Sequence, residues 1–317
     1  MREKVKAIAF PGIPVIFAEG IREPFEERIS IHNSIGMALT DINETARTET
    51  TVGISEKLSF LVNGKPIDKA RGRGMLKIAE IMLKKSKKNI GLKIESNNYN
   101  ILTGSSDSGA VALIIGLNKL LDLNLKKEEL LNIARYGSET AFRSLYGGLT
   151  EYIVENPKNP RAIQIATPNE LNSRLSILAI NFQGQRFSAD QLHKSVVTHP
   201  NYPLREKIVK TKIEMLKINL AKNNILGVLE LMENDAKMFH TMVATIGMRV
   251  IKSQMKELCN FVEELRNSGL SLYWNVAGGN GVYIFCLKED SKEVESNLLN
   301  EGWDFSRYKV ADGARLL

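Results

Sequence analysis

The run Gly104-Ser105-Ser106-Asp107-Ser108-Gly109 holds the residue types that take up a phosphate chain. Small residues let a backbone approach a ligand closely. A helix that begins there points unpaired N–H groups and its positive dipole end at an anion. Ala110, Leu113, Ile114, Leu117 and Leu121 recur at helical spacing, which predicts a buried amphipathic helix opening at this loop. Ser105 or Asp107 could cap it, and an ordinary N-cap beside a glycine is the plainer explanation. A nucleoside triphosphate is the ligand such a loop would hold, but short glycine motifs arise often by chance.

Three further constellations carry chemical residue types. In Gly137-Ser138-Glu139-Thr140-Ala141-Phe142-Arg143-Ser144, a helix would place Glu139 and Arg143 on one face. That reads as a surface ion pair of little worth, or as a ligand site with room left by Gly137, Ser138, Ala141 and Ser144. A buried arginine offers a forked, permanent cation to a carboxylate. Gly278-Gly279-Asn280-Gly281 reads as a hairpin turn, or as a backbone-lined pocket wall. Asp235 and His240, five apart, share a helix face poorly, and a charged helix surface is the expectation for them.

The elements that must position these residues divide the chain. Strand patterns dominate the first hundred residues, at Val5–Phe10, Ile13–Phe17, Gly36–Ile42, Thr50–Ile54, Leu58–Val62 and Ile90–Ser96. Helices are predicted at Arg73–Lys85 and Lys126–Tyr136, with strands again at Leu149–Val154, Ala162–Ala166 and Leu175–Phe182. Helical patterns then cover about Ser188–Val197, Pro203–Leu220, Ile225–Thr241 and Met248–Arg266. Strands return at Leu270–Val276, Val282–Leu287 and Tyr308–Ala311, with a helix at Lys292–Asn300 between the last two. The class is α+β, with a boundary near 165–185.

Composition narrows the function. The 317 residues are 43% hydrophobic and 25% charged, as in a water-soluble globular protein, and the net charge of +7 suits anionic small molecules. The one dense basic run, Lys84-Lys85-Ser86-Lys87-Lys88, has no interleaved aromatics to stack bases, so nucleic acid is not expected as a partner. Two cysteines, Cys259 and Cys286, cannot build a disulfide framework, and four histidines lack metal-ligand spacing. Pro11, Gly12 and Pro14 break the apolar stretch after the basic start, so Ala7–Ala18 reads as strand, turn and strand rather than a secretory leader. No run reaches the roughly 18 apolar residues of a membrane span. A cytoplasmic location is expected.

Taken in order, these segments resemble the GHMP superfamily of small-molecule kinases and, within it, the diphosphomevalonate decarboxylase branch. Ile101-Leu102-Thr103-Gly104-Ser105-Ser106 resembles the superfamily's phosphate loop. Ser138–Ser144 with Gly147-Gly148 resembles the decarboxylases' Ser-Gly-Ser-Ala-Cys-Arg-Ser segment, and Gly278–Val282 resembles the glycine-rich third motif. The resemblance spans Phe10 to Tyr283. Two departures matter: Ala277 stands where the decarboxylases carry an aspartate, and Ile16-Phe17-Ala18-Glu19-Gly20 replaces a lysine-containing segment, with Phe17 at the lysine position. Decarboxylation must stabilise a tertiary cation, and the loss of both charges removes that support. Phosphoryl transfer asks mainly for positioning and charge neutralisation. With Ser105-Ser106-Asp107 and Ser138-Glu139, the chain is most similar to the archaeal mevalonate 3-kinases.

The resemblance implies a two-domain GHMP fold: residues 1–172 as a nucleotide-binding domain of ribosomal-protein-S5-like type, and residues 173–317 as a ferredoxin-like domain with a helical bundle. It implies ATP and Mg2+ as cofactors, mevalonate as the substrate phosphorylated at its C3 hydroxyl, and a homodimer. Gly104, Ser105, Ser106 and Ser108 would cradle the phosphates, with Asp107 a candidate Mg2+ ligand. Arg143 would clamp the substrate carboxylate and Glu139 would accept a hydrogen bond from a substrate hydroxyl, with Phe17, Ser144 and Ala277 completing the substrate side. Adenine contacts are expected within Gln183–Ser195.

Overall fold

The computed structural model describes residues 3–68 and 72–317. The chain opens with β1 (Lys4–Ala9), β2 (Gly12–Ile16), β3 (Ser34–Asp41), β4 (Arg47–Ser55), β5 (Ser59–Val62) and β6 (Lys65–Pro66). Then come α1 (Arg73–Ser86), β7 (Gly91–Tyr99), α2 (Ser105–Leu120), α3 (Lys127–Ala134), α4 (Phe142–Tyr146), β8 (Leu149–Ile153) and β9 (Arg161–Ala166). It continues with α5 (Pro168–Asn172), β10 (Leu175–Asn181), α6 (Ala189–Val196), α7 (Tyr202–Ala221), α8 (Ile225–Thr245) and α9 (Ser253–Asn267). The last elements are β11 (Leu272–Val276), β12 (Gly281–Leu287), α10 (Ser291–Asn300), β13 (Ser306–Val310) and β14 (Arg315–Leu316).

Two sheets organise these elements, in an α+β arrangement. One runs β14-β1-β4-β7-β5-β6, antiparallel except where β5 lies parallel to β7. The other runs β11-β12-β10-β13-β3-β8-β9, with β2 paired to β3. Early and late parts of the chain interlock: β13 pairs with β3, and β14 pairs with β1.

The helix after the glycine-serine loop, α2, is apolar on nearly every side because it is covered on nearly every side. It packs on β1 and β4 beneath and against α1, α3 and α4. Gly116 lets it sit down on β4, where an added Cβ would come within 3.1 Å of Val52. The apolar stripe read from the sequence is therefore the core of the first sheet. Helices α7 and α8 cover β2 and β3 in the same way, with Ile213, Leu216, Val228 and Met232 filling the space between.

Two helix starts differ from the sequence reading. Neither Ser105 nor Asp107 caps α2: its N-cap is Gly104, in the left-handed conformation at φ 75°, with no side-chain cap bond. The last helix of the four begins at Ser253 rather than Met248. Met248 and Val250 are buried in the core around β11 and β12 from a non-helical segment, so their helix-like spacing reflects tertiary packing.

Candidate active site

The loop at Gly104 is pressed against Gly12, the first residue of β2. A Cβ at Gly104 would fall 2.4 Å from the Gly12 carbonyl oxygen, so glycine is needed both for the positive φ and for the close approach. The first helical N–H groups of α2 have no partner within the helix, and no side chain caps them. The Ser108 N–H bonds back to the Gly104 carbonyl at 3.3 Å. Gly104, Ser105, Ser106 and Asp107 line a cleft of about 1430 Å³. Ser108 does not: its hydroxyl is fully buried 2.7 Å from Thr48 Oγ1 of β4. Its predicted place among phosphate-binding side chains is thereby corrected.

Asp107 links the loop to the second constellation. Its Oδ1 accepts hydrogen bonds from Ser138 Oγ at 2.5 Å and Thr140 Oγ1 at 2.7 Å, and its Oδ2 lies 3.6 Å from an Arg143 guanidinium nitrogen. Burial pushes the Asp107 carboxyl up, and Arg143 with the two hydroxyls only partly offsets that. Gly12 and Gly36 make the room. A Cβ on Gly12 would sit 2.7 Å from both Arg143 and Asp107 Oδ2, and one on Gly36 would sit 2.3 Å from Arg143 Nε.

Glu139 and Arg143 do not form the helical ion pair that their spacing suggests. Residues 138–141 make a turn, and α4 starts at Phe142, so the two side chains diverge and both are buried. Glu139 Oε2 instead accepts from Arg28 Nε at 3.0 Å and Arg28 Nη2 at 2.6 Å. Its Oε1 lies 2.7 Å from His193 Nε2. His193 Nδ1 accepts the Gly20 N–H at 3.0 Å, which leaves the ring proton on Nε2, directed at Glu139. Burial alone would raise the Glu139 carboxyl, yet His193 and Arg28 hold it well below the usual carboxylate range. Arg28 also reaches Asp190 at 2.8 Å, tying the loop after β2 to the start of α6.

The turn Ala277-Gly278-Gly279 lines the cleft and also joins β11 to β12 as an antiparallel hairpin. Arg186 to Lys194, inside the stretch expected to meet adenine, line the cleft as well. Phe17 and Ser144 lie elsewhere. Phe17 is fully buried, stacked on Phe239 with ring centroids 4.7 Å apart, and Ser144 donates to the Phe10 carbonyl. Asp235 and His240 are not a charged helix surface. Asp235 is fully buried between Arg205 and Lys212, and His240 Nε2 meets the Val276 carbonyl at 2.6 Å.

Comparison with known proteins accounts for this assembly. Residues 9–159 match the diphosphomevalonate decarboxylase-like N-terminal domain, and residues 187–292 match the mevalonate-3-kinase C-terminal domain. The mevalonate-3-kinase of Picrophilus torridus is 32% identical over 97% of this chain and 95% of its own length. The chain belongs to the mevalonate 3-kinase family.

A second member of this family, the mevalonate 3-kinase of Thermoplasma acidophilum, is 30% identical over 92% of this chain and 91% of its own. A crystal structure of the Thermoplasma enzyme with mevalonate 3-phosphate and ADP bound superposes with a TM-score of 0.89, at 27% identity, over 100% of this chain and 99% of that one. The GHMP-type fold is thus common to this chain and the mevalonate 3-kinase family. Among the described residues no three His, Cys, Asp or Glu side chains gather to hold a metal. One carboxylate oxygen beside the phosphate loop, the buried and unbonded Oδ2 of Asp107, does fit Mg2+, which keeps waters and phosphate oxygens as its other ligands. Arg28, His193 and Glu19 belong to the cleft wall and were not singled out from the sequence.

Proposed function

We propose that the chain transfers the γ-phosphoryl group of ATP to the C3 hydroxyl of (R)-mevalonate, giving ADP and 3-phosphomevalonate. The observation that carries this reading is the contact of Asp107 with Arg143, which joins the phosphate loop to an anion-binding arginine within one cleft. The N-terminal amides of α2 and the hydroxyls of Ser105 and Ser106 hold the triphosphate. Mg2+, when bound, neutralises phosphate charge, and Asp107 is the residue that would hold it. Arg143 receives the mevalonate carboxylate as a forked cation.

Glu139 supplies orientation. A carboxylate held so acidic is a poor proton acceptor, so it fixes a substrate hydroxyl through the acceptor capacity that Arg28 and His193 leave free. A tertiary alcohol is a hindered nucleophile, and alignment with the γ-phosphate supplies much of the rate gain. The chain carries the uncharged Ala277, Gly278 and Gly279 at the hairpin, which favours phosphorylation over decarboxylation at C3. The reading includes a nucleotide-binding unit over residues 1–172 and a second unit over 173–317. The branch it resembles further supports a cytoplasmic homodimer.

Incubation with Mg·ATP and (R)-mevalonate, followed by mass spectrometry, tests it. A mevalonate monophosphate distinct from the 5-phosphate, formed in step with ADP, is expected. Carbon dioxide with an alkene product would replace this reading with a decarboxylase.

A further inference from the structure

Glu19 is a carboxyl in the cleft wall to which the roles above assign nothing. It sits on a turn after β2 that distant residues hold from three sides. The Phe17 N–H bonds Asp235 Oδ2 at 2.8 Å, Tyr202 Oη donates to the Glu19 carbonyl at 2.7 Å, and the Gly20 N–H bonds His193 Nδ1 at 3.0 Å. Gly20 has φ 107°, and a Cβ there would lie 1.9 Å from Tyr202 Oη, so the turn has no slack. A backbone pinned in this way fixes where the side chain goes. Glu19 lines the cleft, and its Oε2 is buried with no hydrogen-bond partner among the described residues.

The basic groups around Glu19 are His193, neutral with its proton on Nε2, and the guanidinium cations of Arg205 and Arg143. Each is already engaged by another acid: His193 by Glu139 at 2.7 Å, Arg205 by Asp235 at 3.1 Å, and Arg143 by Asp107 at 3.6 Å. Glu19 is therefore an acid in excess, and burial pushes its carboxyl up. An unpartnered carboxyl oxygen in such a wall is satisfied by a neutral hydroxyl. A second anion brought against it would be desolvated and opposed.

We infer that Glu19 determines specificity at the substrate's primary hydroxyl, bonding it when it is free and rejecting it when it is phosphorylated. This rests on the reading of the acceptor as mevalonate. The test compares wild type, Glu19→Gln and Glu19→Ala, each checked for folding by its melting temperature, with Mg·ATP and either (R)-mevalonate or (R)-5-phosphomevalonate. The expected result is a KM for mevalonate raised about tenfold in Glu19→Ala and less in Glu19→Gln. The preference for the free hydroxyl over its phosphate should fall at least about tenfold in both variants. An unchanged preference ratio in folded variants overturns the inference. Calorimetric binding of both compounds separates the two levels. A wild type that binds mevalonate without phosphorylating it defeats the kinase reading, while the binding ratio still judges Glu19; a wild type that binds neither defeats both.

Discussion

Asp107 and Asp235 are two aspartates at the same depth, each facing an arginine, yet their acidities move in opposite directions. Asp235 takes two guanidinium N–H groups from Arg205, the Lys212 ammonium and the Phe17 N–H, and these hold its carboxyl down against the burial that would raise it. Asp107 has two hydroxyls and a guanidinium 3.6 Å away, and burial wins. The count and closeness of cations decide the sign. Asp235 is electrostatically complete and serves as a post between α7, α8 and the end of β2. Asp107 is incomplete and lies in the cleft. Completed charges mark the frame, and uncompensated ones mark where a ligand is awaited.

The largest expected effect falls on the frame. Asp235→Ala leaves Arg205 buried without its anion and should cost about 3–5 kcal/mol of stability by denaturant unfolding; a loss below about 1 kcal/mol would erase the distinction drawn here. On the cleft side, Arg143→Ala should lower kcat/KM for the acceptor about 100- to 1000-fold, with a smaller change in melting temperature than Asp235→Ala. Glu139→Gln should follow at about 100-fold. Wild-type rates in either variant would remove it from the substrate site.

Titration sharpens the contrast with smaller effects. An unfolded aspartate titrates near about 3.9. Folded Asp107 lies above that, so between the two values the folded chain keeps a proton the unfolded one has lost, and its contribution to stability falls as pH rises. Folded Asp235 lies below, so its contribution is present above the unfolded value and is lost as pH falls through the folded one. Relative to wild type, Asp107→Asn should therefore gain stability from acid toward neutral pH, whereas Asp235→Asn should lose it. Parallel slopes would contradict the assignment. The smallest change is expected from Ser108→Ala, about 1 kcal/mol of stability through the lost bond to Thr48. A steep rise in KM for ATP would put Ser108 back among the phosphate ligands.

What was legible in the sequence was what is contiguous. The loop at 104–107 and the helix behind it are local in the chain, and so is the glycine hairpin at 278–281; each carries its own pattern. Arg28 and His193 meet Glu139 across 111 and 54 residues, with no periodicity or motif around either to announce it. Spacing misled where the local conformation was wrong: the i,i+4 reading of Glu139 and Arg143 fails because 138–141 is a turn. Charge misled where burial was overlooked. Helix α8 buries apolar residues on most of its faces, from Val228 and Leu229 to Phe239 and Val243, and that breadth was the available sign that Asp235 and His240 face protein rather than water.

The pairing of β14 with β1 sets an order of events during synthesis. Residues 311–317 tie into four earlier segments: Ala311 N–H to Ala38, Gly148 N–H to Ala311, Ala314 N–H to Ser144, and Leu317 N–H to Lys6. Ser144 lies next to Arg143, so this strap braces the backbone that carries the Arg143 guanidinium into the cleft wall. A nascent chain emerging from the ribosome can lay down β4 and β7 early, but the edge of its first sheet stays open until β14 (Arg315–Leu316) has been made. The half of the cleft that is translated early is thus finished by residues that are translated much later.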